Sequence, residues 1–321
     1  MPKALKYVAL LLMLGLGETW IEQTALSDTI AVADSKAPVQ LQPGSPRPPK
    51  DTAADRLYPD PESGSVVGGS YANAYFGLSL PLPPGWGEGL AGPPPSARGL
   101  YVLSSMDGTR ASRATLLIVA EDLFFSAKPF SNLADLAADF RASLTSIPDL
   151  SIDQGPAPIA IGGQAFLRLD YHAGSLYRGW LATELRCHLV SFNITATDRA
   201  TVDHVADLLH AMSLPAQSET GTNAGLAQTM PVCIKDYATA QTTIHGVDPA
   251  QVDLNGLTVP VRIIIGTNGK VEHVHVISAT PAQRQAIEQA LTQWQLKPLE
   301  VMGQPTEVET GLTFDFRPHR P

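Results

Sequence analysis

Charge is scarce in this chain. Only 17% of its 321 residues are charged, and 22 Lys+Arg against 31 Asp+Glu leave a formal charge of −9. With no positive excess to displace phosphate counterions, binding to nucleic acid through a basic surface is excluded. Cysteine is limited to Cys187 and Cys233, which have no motif spacing. A G-x-S-x-G elbow is missing, and no pattern supplies a nucleophile, a base and an orienting group together. Apolar residues are not lacking: at 44% they are enough for real cores and argue against wholesale disorder. Glycine (26) and proline (27) exceed ordinary usage, so the chain contains many joints. Its length suits two domains of ordinary size.

Lys3 and Lys6 precede the apolar run at residues 7–17, and Glu18 and Glu22 end it. A basic segment followed by a short apolar one is the pattern of a secretory signal. A spanning helix needs about 20 apolar residues, so a permanent anchor is the weaker reading. Ala25-Leu26-Ser27 and Ala31-Val32-Ala33 are both cleavage candidates, and no cysteine follows to carry a lipid. Residues 1–33 therefore read as a signal peptide or N-terminal anchor, and the protein as periplasmic or secreted. Residues 34–72 read as a proline-rich linker, and residues 216–230, small and nearly uncharged, as a second one. The two cysteines fall on opposite sides of that second linker and are expected as buried free thiols.

Between the linkers, residues 73–215 mix strand and helix patterns. Residues 76–82, 100–106 and 113–121 are aliphatic enough for strands. Leu133, Leu136, Ala137, Phe140, Leu144 and Ile147 share a helical face, with Ser131 as candidate N-cap and Pro148 as stop. Two long strands, 164–172 and 180–195, should join through residues 173–178, and a helix over about 197–213 closes the unit. In residues 231–321, two apolar runs flank Asn268-Gly269, the strongest short hairpin signal. Pro281 opens a helix carrying Ala286, Ile287, Ala290, Leu291 and Trp294. A last strand, 307–316, sets Val308, Leu312, Phe314 and Phe316 on one face and Glu309, Thr313 and Asp315 on the other.

Two family resemblances lie on these residues. Val261-Arg262-Ile263-Ile264-Ile265, Asn268-Gly269-Lys270-Val271, Trp294-Gln295-Leu296-Lys297-Pro298, Gly303-Gln304-Pro305 and Thr313-Phe314-Asp315-Phe316 resemble the TonB C-terminal domain over about 231–316. That resemblance implies a small periplasmic domain that meets outer-membrane partners by strand addition. Tyr75-Phe76-Gly77-Leu78-Ser79, Pro84-Gly85-Trp86, Gly162-Gly163-Gln164 and Ala211-Met212-Ser213-Leu214 resemble the PsbP-like α/β sandwich family over 73–215. This second resemblance implies a scaffold or binding module without chemistry of its own. Several features depart from a full TonB transducer: the short N-terminal segment without histidine, Ala238 after Tyr237, the long 247–257 stretch, and the folded middle region.

Gly87-Glu88-Gly89-Leu90-Ala91-Gly92 matches GxGxxG, but Pro93-Pro94-Pro95 forbids the helix a phosphate loop needs. His273 and His275 project from one strand face and can share a metal only if a third ligand joins them. The plainer reading is a solvated or helix-packed pair. Glu121-Asp122 reads as a solvated corner, Asp170 and His172 as uninformative, and Trp294 as core. No catalytic residue, cofactor or metal is expected. The last strand carries the functional reading: Val308, Thr310, Leu312, Thr313 and Phe314 on an unpaired edge that accepts a partner peptide, with Glu309 and Asp315 guarding it against self-association.

The sequence thus reads as an exported α+β protein, a PsbP-like sandwich followed by a TonB C-terminal-like hairpin–helix–strand unit. It is expected to be non-enzymatic and to dock envelope or outer-membrane proteins, with membrane contact only through residues 7–17. Two alternatives stay open: a TonB-type energy transducer, and a carrier or enzyme using a pocket in residues 73–215.

Overall fold

The computed structural model describes residues 58–89, 92–109, 113–126, 132–214 and 230–317. The signal or anchor segment at 1–33 lies outside them, as do residues 34–57 of the first linker and nearly all of the second. The structured remainder of the first linker is a correction. Residues 61–63 form a 3-10 turn, and β2 (Ser70–Asn73) pairs with β1 (Ser65–Val67) on one side and β3 (Leu78–Pro81) on the other in a three-stranded sheet. Proline density suggested a tether, yet Pro61 is buried and opens the turn, where its fixed φ is suited to the first position.

A seven-stranded antiparallel sheet follows. Its strands are β4 (Gly87–Glu88), β5 (Leu100–Asp107), β6 (Thr115–Asp122), β7 (Leu150–Ile161), β8 (Gln164–Ala173), β9 (Leu176–Leu185) and β10 (His188–Ala196), in the order β4-β5-β6-β10-β9-β8-β7. Helix α1 (Leu133–Leu144) covers one face, where Ala137, Phe140 and Leu144 meet Leu169, Tyr171 and Trp180. Its N-cap is Asn132, whose side chain accepts from the Asp135 N–H. Helix α2 (Arg199–Leu208) and the three-stranded sheet cover the other face, burying Leu80, Ile118, Phe166, Phe192 and Val202. Strand β7 carries Pro156 and Pro158 and lies at the sheet edge, where a missing N–H is tolerated.

One expected strand is two. Residues 180–195 break at Arg186-Cys187, with φ of 46° and 54°, a two-residue turn between β9 and β10. Asn-Gly usually marks such a turn, because both central residues need positive φ.

The C-terminal unit has a four-stranded sheet of β11 (Val232–Cys233), β13 (Leu257–Ile265), β14 (Val271–Val276) and β18 (Val308–Phe316), in the order β11-β18-β13-β14. Short pairs β12 (Thr243–His245) with β15 (Gln295–Leu296), and β16 (Leu299–Val301) with β17 (Gln304–Thr306), flank it. Helix α3 (Pro281–Leu291) begins with a capping box between Thr280 and Gln283 and packs on one sheet face. That face buries Val259, Val261, Ile263, Ile265, Val276, Val308 and Phe316 with Ile287 and Leu291. The opposite face, set by the period-2 alternation, presents Arg262, Ile264, His273, His275, Glu309 and Gly311. The chain is therefore mostly sheet with few helices, and the two units meet across that second face.

Candidate functional site

Arg262 sits in the middle of an otherwise apolar strand and is 2% exposed. Its Nε donates to Asp122 Oδ2 at 2.6 Å and Nη2 to Asp122 Oδ1 at 3.0 Å, a bidentate pair across the two units. Nη1 reaches Tyr75 Oη and Glu309 Oε1, both at 2.9 Å, and Nη2 also reaches the Cys187 carbonyl at 3.2 Å. The guanidinium lies 4.2 Å over the Phe124 ring. Arg186 completes the cluster: it donates to Glu309 Oε2 at 2.8 Å and to the Tyr75 carbonyl at 2.9 Å, and it stacks 3.9 Å over the Tyr75 ring. Gly311 lets β18 approach Phe124 and Phe125 closely, since a Cβ there would sit 3.0 Å from Phe124 Cβ.

Two expectations are corrected here. Asp122 is not a solvated corner but fully buried, and Glu309 does not guard an edge but pairs with two arginines from within. Burial acts against both carboxylates. In Glu309 the two guanidiniums overcome it and hold the acid below its usual range. Asp122, with one guanidinium, stays raised by burial. Burial likewise disfavours the charge of Arg262, but Tyr75, Asp122 and Glu309 secure it.

His188 lies against this cluster, fully buried, with Nδ1 2.7 Å from the Arg186 carbonyl and Tyr75, Phe76 and Tyr101 around its ring. Burial first, and then the charge of Arg262, push its pKa well below the ordinary imidazole range. Below about pH 6.5 the unfolded chain takes up this proton while the folded chain does not, so stability falls on acidification. We expect the loss to begin above the carboxylate range, at up to about 1.4 kcal/mol per pH unit. Urea unfolding between pH 7.5 and 5 checks it; His188→Phe should flatten that part of the profile.

The histidine pair is neither solvated nor packed on a helix. Asp60 Oδ1 stands 3.1 Å from His273 Nε2 and 2.9 Å from His275 Nδ1, and Glu62 Oε2 stands 3.4 Å from His275 Nε2. Asp60, Glu62 and His275 offer ligand atoms within 4.8 Å of one another, an arrangement able to hold a divalent cation. A void of about 10 Å³ adjoins Asp60, Tyr75, Arg262, His275 and Glu309, room for roughly one water. The sequence pattern could not supply these acids, because they lie more than 200 positions upstream of the histidines.

The expected docking residues divide. Val308 and Thr310 are buried, and residues 232–237 cover this part of β18: β11 pairs with Val308 and Glu309, and the Thr310 hydroxyl donates to the Lys235 carbonyl. Leu312, Thr313 and Phe314 lie beyond that cover. Among the described residues no strand pairs with the outer side of β18 from Leu312 to Phe316. Ile277 donates to the Pro260 carbonyl, so alternation turns the backbone of Val259 and Val261 toward β18 and that of Thr313 and Asp315 outward. Thr313 and Asp315 are exposed, whereas Leu312 and Phe314 pack partly on the α3 side of the sheet.

This sheet, with its hairpin, helix and closing strand, can be compared with known families. Residues 251–318 match the Gram-negative bacterial TonB protein C-terminal family. The match takes in β13, β14, α3 and β18 of the TonB C-terminal-like unit and leaves β11 and β12 outside. Among solved structures, the chain is similar to cyanobacterial PsbP (CyanoP) from Synechocystis sp. PCC 6803, with 16% identity and a TM-score of 0.34 over 48% of this chain and 99% of that one. It is also similar to LpqN, described as involved in cell envelope biogenesis of Mycobacterium tuberculosis, with 13% identity and a TM-score of 0.30 over 43% and 83% of the two chains. Comparison with curated proteins finds no match. Among the described residues no helix is long and apolar enough to cross a membrane.

Proposed function

We propose that this is an exported, non-enzymatic envelope protein whose TonB C-terminal-like unit docks a partner protein by strand addition along residues 312–316. The observation that carries this reading is the open outer side of β18, where the Thr313 and Asp315 backbones face away from β13. An incoming extended segment can extend the sheet there without disturbing the seam, because Glu309 and Gly311 turn their side away toward the first unit. The seven-stranded unit acts as a scaffold that fixes the orientation of this edge. An open groove of about 670 Å³ between α1 and β7 is lined mainly by alanine, proline and aliphatic groups, with Arg141 its one charged residue. Such a lining supports a packing surface better than a reaction centre.

Thr313→Pro tests the reading directly. It removes one outward N–H while the ladder to β13 uses its neighbours, and proline is tolerated at such edges. Partner recovery in envelope pull-downs should fall at least about tenfold, the effect of roughly 1.4 kcal/mol, with the circular dichroism spectrum and Tm retained. Full recovery by a folded variant would sink the proposal.

A further inference from the structure

The only two cysteines of the chain sit on different units, and the fold brings them together. Cys187 occupies the second position of the β9–β10 turn, at φ 54°. Positive φ costs a side-chain-bearing residue roughly 1–2 kcal/mol, so the turn would be easier with Asn-Gly. Arg186, its companion at φ 46°, is explained by its contacts with Glu309 and Tyr75. The Cys187 carbonyl accepts from Arg262 Nη2 and from the Leu123 N–H, which pins the turn tip against the second unit.

Cys233 is held just as firmly from the other side. It lies in β11, paired with Glu309, and the next residue, Ile234, donates to the Glu309 carbonyl at 3.0 Å. Both cysteine backbones are thus fixed on the Arg262–Glu309 pair, and Cys233, in register with Glu309, turns its side chain to the same face of the sheet, toward the seam. The thiols are free in this structure and neither is fully buried. Left-handed backbone kept at a turn tip that is bonded to Arg262 of the other unit points to a use for the Cys187 side chain across the seam.

We propose that Cys187 and Cys233 form a disulfide site that staples the seven-stranded unit to the TonB C-terminal-like unit. The oxidant is a disulfide, either a small one such as glutathione disulfide or that of a dithiol oxidase. The Cys187 thiolate attacks one sulfur of that disulfide, releasing one thiol and leaving a mixed disulfide on Cys187. Cys233 then attacks the Cys187 sulfur, forms the new S–S bond and expels the second thiol. Two hydrogens leave the protein, and the oxidant gains them as two thiols. A hydrogen bond to Cys187 and then burial push the Cys233 pKa up, which suits it to the second attack rather than the first. The first step removes that hydrogen bond and readies Cys233 for the second. Closure spans a loop of roughly 45 residues, long enough for a substantial constraint on the unfolded chain.

The test uses the full chain, reduced, desalted and exposed to glutathione disulfide at pH 8. The expected product is a monomer lighter by two hydrogen atoms, with no titratable thiol, a Cys187–Cys233 linked peptide, and a Tm raised by on the order of 10 °C over the reduced form. Cys187→Ser should show neither the mass loss nor the Tm rise. Closure in denaturing urea should be at least about tenfold slower, because the folded seam supplies the proximity. Persistent thiols, glutathione retained on either cysteine, covalent dimers, or equal rates in urea would each overturn the proposal. None of these readouts depends on partner docking or export.

Discussion

Replacing Arg262 by methionine should cost the folded chain about 3–5 kcal/mol, the loss typical when one partner of a buried ion pair is removed. The side chain is almost wholly buried and reaches Asp122, Glu309, Tyr75 and Cys187 at once. Without it Asp122 keeps the Phe124 N–H at 2.9 Å and has His188 Nε2 3.6 Å away, whereas Glu309 retains Arg186 and Tyr75. Tm should drop by on the order of 10 °C. Lysine should not rescue it, because a single ammonium cannot reproduce the bidentate fork. The pH dependence gives a second check. In the variant the Asp122 pKa rises further above its unfolded value, so its penalty is absent below about pH 4 and grows as pH increases. The deficit should therefore narrow on acidification, and Arg262→Met/Asp122→Asn should recover part of the loss at neutral pH. An Arg262→Met chain unfolding like the parent would mean that the seam contributes nothing to stability.

Gly269→Ala is expected to damage the TonB C-terminal-like unit nearly as much. Gly269 turns the β13–β14 hairpin at φ 78°, and its N–H donates to the Gly266 carbonyl. A methyl group there would collide with the Leu296 carbonyl oxygen and crowd Gln295. The same glycine accepts from the Leu296 N–H at 2.8 Å, so the turn is clamped to the chain that follows α3. Left-handed strain of about 1–2 kcal/mol adds to the cost of moving that backbone. We expect a total loss of about 2–4 kcal/mol, measurable by urea unfolding, with Asn268→Ala much milder. If Gly269→Ala lost no more than Asn268→Ala, the clamp would be unimportant.

Much of the C-terminal unit was legible because its signals are local. Asn268-Gly269, Pro281 after Thr280, and the alternation of 308–316 each report the conformation of neighbouring residues, and the elements follow them closely. The first unit was legible in its central strands and helices for the same reason. What escaped depends on contacts far along the chain. Arg186-Cys187 carries no turn signature, since its positive φ angles are sustained by Glu309, Arg262 and Tyr75. Asp122 and Glu309 look solvated in sequence, and only the opposite unit makes them interior. The one local hint was Arg262 itself, a charge amid Val259-Pro260-Val261 and Ile263-Ile264-Ile265, which signals that a second sheet face must meet a charged counterpart. Residues 58–72 were read as a tether because proline density describes stiffness and says nothing of destination. Val308 and Thr310 were placed on an open edge because β11 is only two residues long and has no periodicity to detect.

The destination of that proline-bearing stretch has a mechanical consequence. Tyr58 donates to Glu272 on β14 at 2.7 Å and to Glu307, just before β18, at 3.2 Å, while Asp60 meets both histidines of β14. The first described residues therefore make their contacts on the second unit, more than 200 positions downstream. A pull applied upstream of Tyr58 is transmitted to β14 and the start of β18 before it can load β1 or the seven-stranded sheet. On the proposed reading, tension between the chain upstream of Tyr58 and a docked partner runs along a short path at the rim of the small sheet and bypasses the large one.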